Sequence, residues 1–165
     1  MNRGNCDAPH MLLYHYNFGW PLVDEGTTII WKGEWLSRDE DPSNRIFNKN
    51  NNFHKCPASM KEHNGTGEDA VSVDIAANDE GKCAVGLYNP ELSLAVALRF
   101  DKKQLPWFTN WQHWGSGEYV TGLEPGTNRP YGQAKARALN ELIFIQPGEK
   151  RIYDMELEVL TDKKA

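Results

Sequence analysis

Leu92-Ser93-Leu94-Ala95-Val96-Ala97-Leu98-Arg99-Phe100 sets large apolar side chains at every second position, the pattern of a strand with one face in a core. Asn89-Pro90 supplies loop chemistry ahead of it. Upstream, Val71-Ser72-Val73-Asp74-Ile75-Ala76 alternates in the same way, and Cys83 to Tyr88 follows the turn Asn78-Asp79-Glu80-Gly81. Thr27 to Trp31 is β-branched and apolar between Gly26 and Gly33, while Met11 to Tyr16 is an apolar and aromatic run ended by Asn17-Phe18-Gly19-Trp20-Pro21. Tyr119 to Leu123, Leu142 to Ile145 and Arg151 to Leu160 add three more strand signals. In the last, Ile152, Asp154, Glu156 and Glu158 oppose Tyr153, Met155, Leu157 and Val159, so one side is mostly acidic and the other apolar. These signals recur about every 8–15 residues with turn residues between them, which predicts a mainly β protein built as an antiparallel β-sandwich. One short helix is expected, Gln133 to Leu139, with Asn140 in the left-handed conformation at its end. Residues 37–68 are polar and Asn-rich, a long surface excursion between strands that would rim a ligand site. Without repeat or linker, residues 1–165 read as one domain.

Composition narrows the function. Eighteen Lys and Arg against 23 Asp and Glu leave a net charge of −5, so a basic stripe for nucleic acid is missing and no nucleic-acid partner is expected. Mean hydropathy is −0.66, yet six Trp, six Tyr and six Phe supply core or binding groups. Cys6, Cys56 and Cys83 are an odd set with no C-x-x-C pair, which argues against a disulfide framework and a zinc knuckle and for a reducing compartment. The amino end carries no apolar leader core, and no run approaches the ~18 apolar residues of a membrane span. A cytoplasmic protein with no membrane partner is the expectation.

Two stretches carry chemistry. In Leu13-Tyr14-His15-Tyr16-Asn17-Phe18-Gly19-Trp20-Pro21-Leu22, His15 and Asn17 are two apart, so an extended chain projects both to one side. In Tyr119-Val120-Thr121-Gly122-Leu123-Glu124-Pro125-Gly126-Thr127-Asn128-Arg129-Pro130, a carboxylate closes an apolar strand. A Glu at the mouth of a sandwich facing a His from another strand makes a general acid/base pair. The plainer alternatives stay open: a structural histidine in an aromatic strand, and a solvated carboxylate at a strand end. Trp107, Trp111 and Trp114 serve equally as core aromatics or as platforms for sugar faces. His10, His54, His63 and His113 have no metal-ligand spacing and read as surface residues, so no metal is expected.

The first stretch resembles the "YH-x-N-x-G-x-P-L" signature of a bacterial family related to aldose 1-epimerases, within the galactose mutarotase-like superfamily. Leu105-Pro106, Trp111, the run Gly117 to Thr127, Ala136-Arg137 and Gln146-Pro147-Gly148-Glu149 match in order along nearly the whole chain. The resemblance implies a mutarotase-like supersandwich, present in partial copy, and an isomerase of carbohydrate metabolism that interconverts sugar anomers without cofactor. It places His15 as general acid and Glu124 as general base, with Asn17 beside the acid as a substrate-binding group. Asp69, in Gly67-Glu68-Asp69, is a fainter match to a sugar-binding aspartate, and Trp111 and Arg129 complete the substrate-binding candidates, Arg129 toward an anionic substituent.

The likeness begins just before the acid-bearing strand, so the chain is expected to be the C-terminal half of a longer family member. The amino-terminal half, which in mutarotases adds an Arg and a second His, has no counterpart here. A half-sandwich exposes edges and an apolar face, which implies pairing with itself or with the missing half. The alternative function is a non-catalytic carbohydrate-binding or structural domain; a monosaccharide or sugar derivative is the expected partner of an active protein.

Overall fold

The computed structural model describes residues 1–36 and 47–161. In chain order the strands are β1 (Ala8–His10), β2 (Tyr16–Phe18), β3 (Thr28–Ile30), β4 (Gly33–Leu36), β5 (Asp69–Ile75), β6 (Lys82–Asn89), β7 (Leu94–Asp101), β8 (Trp107–Gly115) and β9 (Glu118–Gly126). Helix α1 (Gln133–Ala138), β10 (Ile143–Ile145) and β11 (Met155–Thr161) follow. A single 3-10 turn, Lys61–His63, leads into β5.

Among the described residues every strand pairing is antiparallel. One sheet runs β2-β9-β8-β5-β4, a second runs β11-β7-β6-β3, and β1 pairs with β10 as a two-stranded ribbon. The alternation around Leu94–Phe100 does what period two demands. Val96, Leu98 and Phe100 lie opposite Leu87, Val85 and Cys83 and face inward, while Ala95, Ala97 and Arg99 face out. Val71, Val73, Phe108, Trp114 and Leu123 of the five-stranded sheet meet them across the core, each such side chain adding about 1.5–3 kcal/mol by leaving water. The two sheets therefore form an antiparallel sandwich.

Several expectations shift in detail. The aromatic run before Asn17 is not a strand over its length: β2 starts at Tyr16 and takes in Asn17 and Phe18, so the turn begins only at Gly19. β8 is a nine-residue central strand between β5 and β9 that the sequence did not announce. On β11, Leu157 and Val159 do oppose core residues Leu98 and Val96, but they stay largely exposed because β11 is an edge strand beyond the cover of the other sheet. Helix α1 ends as anticipated, with Asn140 at φ 57°. The excursion of residues 37–68 is only partly visible, since residues 37–46 lie outside the described residues. Among the described residues no helix is long and apolar enough to cross a membrane.

Candidate active site

Registers across the five-stranded sheet fix which side chains share its outer face. Asn17 lies opposite Gly122, Gly122 opposite Trp111, and Glu124 opposite Thr109. Thr109 is in turn opposite Ser72, and Trp111 opposite Ala70. Because cross-strand partners point the same way, this face carries His15, Asn17, Glu124, Thr109, Trp111 and His113. The face behind it carries Phe108, Trp114, Leu123 and the core.

His15 Nε2 stands 2.9 Å from Glu124 Oε1, with the imidazole side chain 45% exposed and the carboxylate 3%. The other ring nitrogen, Nδ1, is 2.7 Å from Asn17 Oδ1. With that amide oxygen accepting, Nδ1 carries a hydrogen, and Nε2 is the nitrogen turned toward the carboxylate oxygen. An imidazole and a carboxylate at this distance are the residue types that general acid/base chemistry uses. The two ends differ in freedom: Glu124 is held near the C-terminal end of the long inner strand β9, while His15 immediately precedes the short edge strand β2 and is open to solvent.

Gly122 makes the carboxylate's position possible. A Cβ there would collide with the Glu124 carboxylate, which lies back over the glycine two residues earlier on the same face. Trp111 forms the neighbouring wall: its ring meets His15 edge-on at 5.5 Å and stacks on His113 at 5.9 Å. Its indole N–H donates to Glu68 Oε2 at 2.7 Å, which holds the ring at a fixed tilt. Beyond Glu124, the hydroxyls of Thr109 and Ser72 are buried and make no hydrogen bond.

Past Trp111 the same face opens into a cavity of about 760 Å³, with Glu68, Trp111, His113, Glu118, Val120 and Trp20 among its lining. Among the described residues no group of three or more His, Cys, Asp or Glu is arranged to hold a metal ion.

The remaining candidates fall elsewhere. Asp69 lies on the core face, fully buried, where its carboxylate accepts from the Asn48 backbone N–H at 2.7 Å and the Asn51 side chain at 2.8 Å. The alternation of β5 sends it inward and gives the outer face to its neighbour Glu68, so the expected sugar contact of Asp69 is corrected to an anchoring role for the 48–51 loop. Arg129 is bonded to Glu141 through both Nε and Nη2 and stacks over Trp107 at 5.1 Å and Tyr131 at 4.9 Å. The Glu141 bonds hold the guanidinium even more firmly charged than usual and occupy the fork that an anionic substituent would need. His63 and His113 are not surface residues: both are buried, His63 completely. Glu68 and Gly122 escaped the sequence reading; the packing of Glu124 over Gly122 shows only in three dimensions.

Among solved structures, the chain is similar to one described as a "putative aldose 1-epimerase" from Klebsiella pneumoniae subsp. pneumoniae MGH 78578, with a TM-score of 0.78 and 23% identity. The match covers 98% of this chain and 41% of that one, so the chain spans well under half the length of this relative. The likeness shows the fold, a galactose mutarotase-like sandwich. No curated protein matches the sequence. The family model described as "Domain of unknown function (DUF4432)" matches residues 1–159, and the chain belongs to that family.

Proposed function

We propose that this protein binds a sugar over the outer face of its five-stranded sheet and interconverts its anomers, with His15 as general acid and Glu124 as general base. The observation that carries the reading is the 2.9 Å approach of His15 Nε2 to Glu124 Oε1, backed by Asn17 on the other ring nitrogen and open on one side to solvent. The sandwich fold it shares with the Klebsiella structure, and the motif likeness to aldose 1-epimerases, support the same chemistry.

An anomeric centre presents a hydroxyl, which can give up a proton, beside a ring oxygen, which can take one. Glu124 accepts the anomeric proton while protonated His15 donates from Nε2 to the ring oxygen; the bond from C1 to the ring oxygen breaks and a carbonyl forms at C1. Rotation about C1–C2 turns the carbonyl over. On closure the hydroxyl formed from the ring oxygen attacks C1 and returns its proton to His15, and Glu124 returns its own to the new anomeric oxygen. Asn17 Oδ1, accepting from Nδ1, holds the ring with Nε2 turned toward Glu124 and the bound sugar. Trp111 supplies an apolar wall beside the pair on which a ring face can stack.

Polarimetry on freshly dissolved α-anomers of common aldoses tests this. The protein is expected to accelerate the approach to equilibrium for at least one of them, and rates no faster than buffer across the panel would remove the catalytic reading. A second reading, a non-catalytic carbohydrate-binding module, is favoured by the near-complete burial of the Glu124 carboxylate beside the aromatic face of Trp111. It predicts sugar-dependent stabilisation in thermal melts without any rate effect.

A further inference from the structure

The cavity beyond Trp111 is larger than a mutarotase needs for the reacting ring and has a chemistry of its own. We infer that it is a second saccharide subsite, so that the substrate of the His15–Glu124 pair is the reducing end of a neutral disaccharide or longer glycan; this rests on the mutarotase reading above.

Distance separates the two places. His113 is four residues along β8 from Thr109, the cross-strand partner of Glu124, which is ~13 Å at the rise of a strand. One pyranose held at His15 and Glu124 cannot also reach His113, whereas a second ring linked to it lies over Trp111 and His113. A volume of about 760 Å³ is in the upper part of the roughly 300–1,000 Å³ range of small-molecule sites, room enough for the second ring and any sugar linked beyond it.

The lining selects the ligand's chemistry. His113 is buried, and its Nδ1 faces the Gly67 carbonyl oxygen at 2.5 Å, so that nitrogen carries the hydrogen and Nε2 presents a lone pair. That buried Nε2 makes no hydrogen bond, and Glu118 Oε2 stands 3.3 Å away without the geometry for one. The exposed Glu118 carboxylate over that imidazole accepts from the O–H donors of a sugar and repels a phosphate or sulfate. Among the described residues that line it there is no Lys or Arg. Trp20 stands on the rim 79% exposed, a large aromatic surface in water whose face matches the apolar face of a pyranose.

The test compares reducing disaccharides (lactose, maltose and cellobiose) with glucose and galactose, by anomer-exchange NMR for turnover and by calorimetry for binding. Wild-type protein is expected to favour at least one disaccharide over its reducing-end monosaccharide by about tenfold in kcat/KM, and Trp20→Ala and Glu118→Gln each to remove most of that advantage while leaving monosaccharide turnover unchanged. Monosaccharide turnover with no disaccharide advantage, or an advantage that survives both substitutions, overturns the subsite and leaves the mutarotase reading standing. If no sugar is turned over, that reading falls by itself. Calorimetry then decides the cavity: disaccharide binding weakened by Trp20→Ala upholds a saccharide site, and no disaccharide binding overturns it.

Discussion

Two histidine–carboxylate pairs sit on opposite faces of the same five-stranded sheet. His15 and Glu124, 2.9 Å apart, meet on the outer face with the imidazole half in solvent. His63 and Asp69, 3.7 Å apart, are both fully buried on the core side. In the inner pair most polar atoms are engaged within the protein, although the buried His63 Nε2 makes no hydrogen bond. His63 Nδ1 accepts the Trp114 backbone N–H at 2.9 Å, and Asp69 accepts from Asn48 and Asn51. In the outer pair one nitrogen is held by Asn17 and the other faces a largely buried carboxylate, while the imidazole itself reaches solvent. On the proposed reading the same residue types make scaffolding where both side chains are sealed from solvent, and a reactive centre where the imidazole reaches it. Residue identity alone does not distinguish them; access does.

The largest expected effect separates the pairs by activity. His15→Gln should lower mutarotation about 10²–10⁴-fold, the usual worth of a general acid, with the melting temperature unchanged. His63→Gln, measured in the same assay on folded protein, should keep its rate. Equal losses in the two variants would erase the distinction.

Stability reverses the order. Asp69→Ala leaves the Asn48 N–H without its acceptor and the Asn51 amide with Gln112 Oε1 alone, at about 1–2 kcal/mol for part-buried bonds to a carboxylate. Chemical denaturation should show that loss, whereas Asn17→Ala, on an exposed bond, should cost under about 1 kcal/mol. Gly122→Ala sharpens the comparison further, because its new methyl group must displace the Glu124 carboxylate, the mobile end of a side chain, rather than backbone. It should cost roughly tenfold in rate, since a small misplacement of a catalytic group is enough, with stability near wild type in the same denaturation curves.

A third histidine gives the smallest effect. His10 Nε2 contacts the Tyr153 hydroxyl at 2.7 Å, and burial, aided by Arg151, lowers its pKa below the ordinary 6.5. The unfolded chain therefore takes up a proton first as pH falls. The stability His10 contributes is complete above pH 6.5 and is lost as pH drops through the folded value. Thermal melts between about pH 7.5 and 5 should show a shallow decline that His10→Gln flattens; a steeper decline in the variant would contradict the assignment.

The same contrast between open and closed sides explains what the sequence could tell. The sandwich was legible where one face of a strand is apolar and the other polar, as in Leu94–Phe100 and Val71–Ile75, and α1 with Asn140 was legible from local backbone preference. β8 was not, because Thr109, Asn110, Gln112 and His113 are buried polar residues that hide the period of two. Asn110 and Gln112 bond to Thr121, Gly122 and each other inside the sheet, a solution that only the assembled strands reveal. Asp69 was misread for a related reason: a motif names neighbours in the chain, and the one-residue difference between Glu68 and Asp69 exchanges outer face for core. His15 and Asn17 could be placed on one side from their spacing, but the meeting with Glu124 depends on the register of β2 against β9, fixed by Tyr16 opposite Leu123.

The most direct test of the outer pair is two-dimensional exchange NMR on an equilibrated aldose with wild-type protein and with Glu124→Gln. The acid/base account predicts cross-peaks between the α and β anomeric protons above the buffer rate with wild type, and a return to the buffer rate with a variant that melts at the wild-type temperature. Exchange of equal rate with both proteins would contradict it.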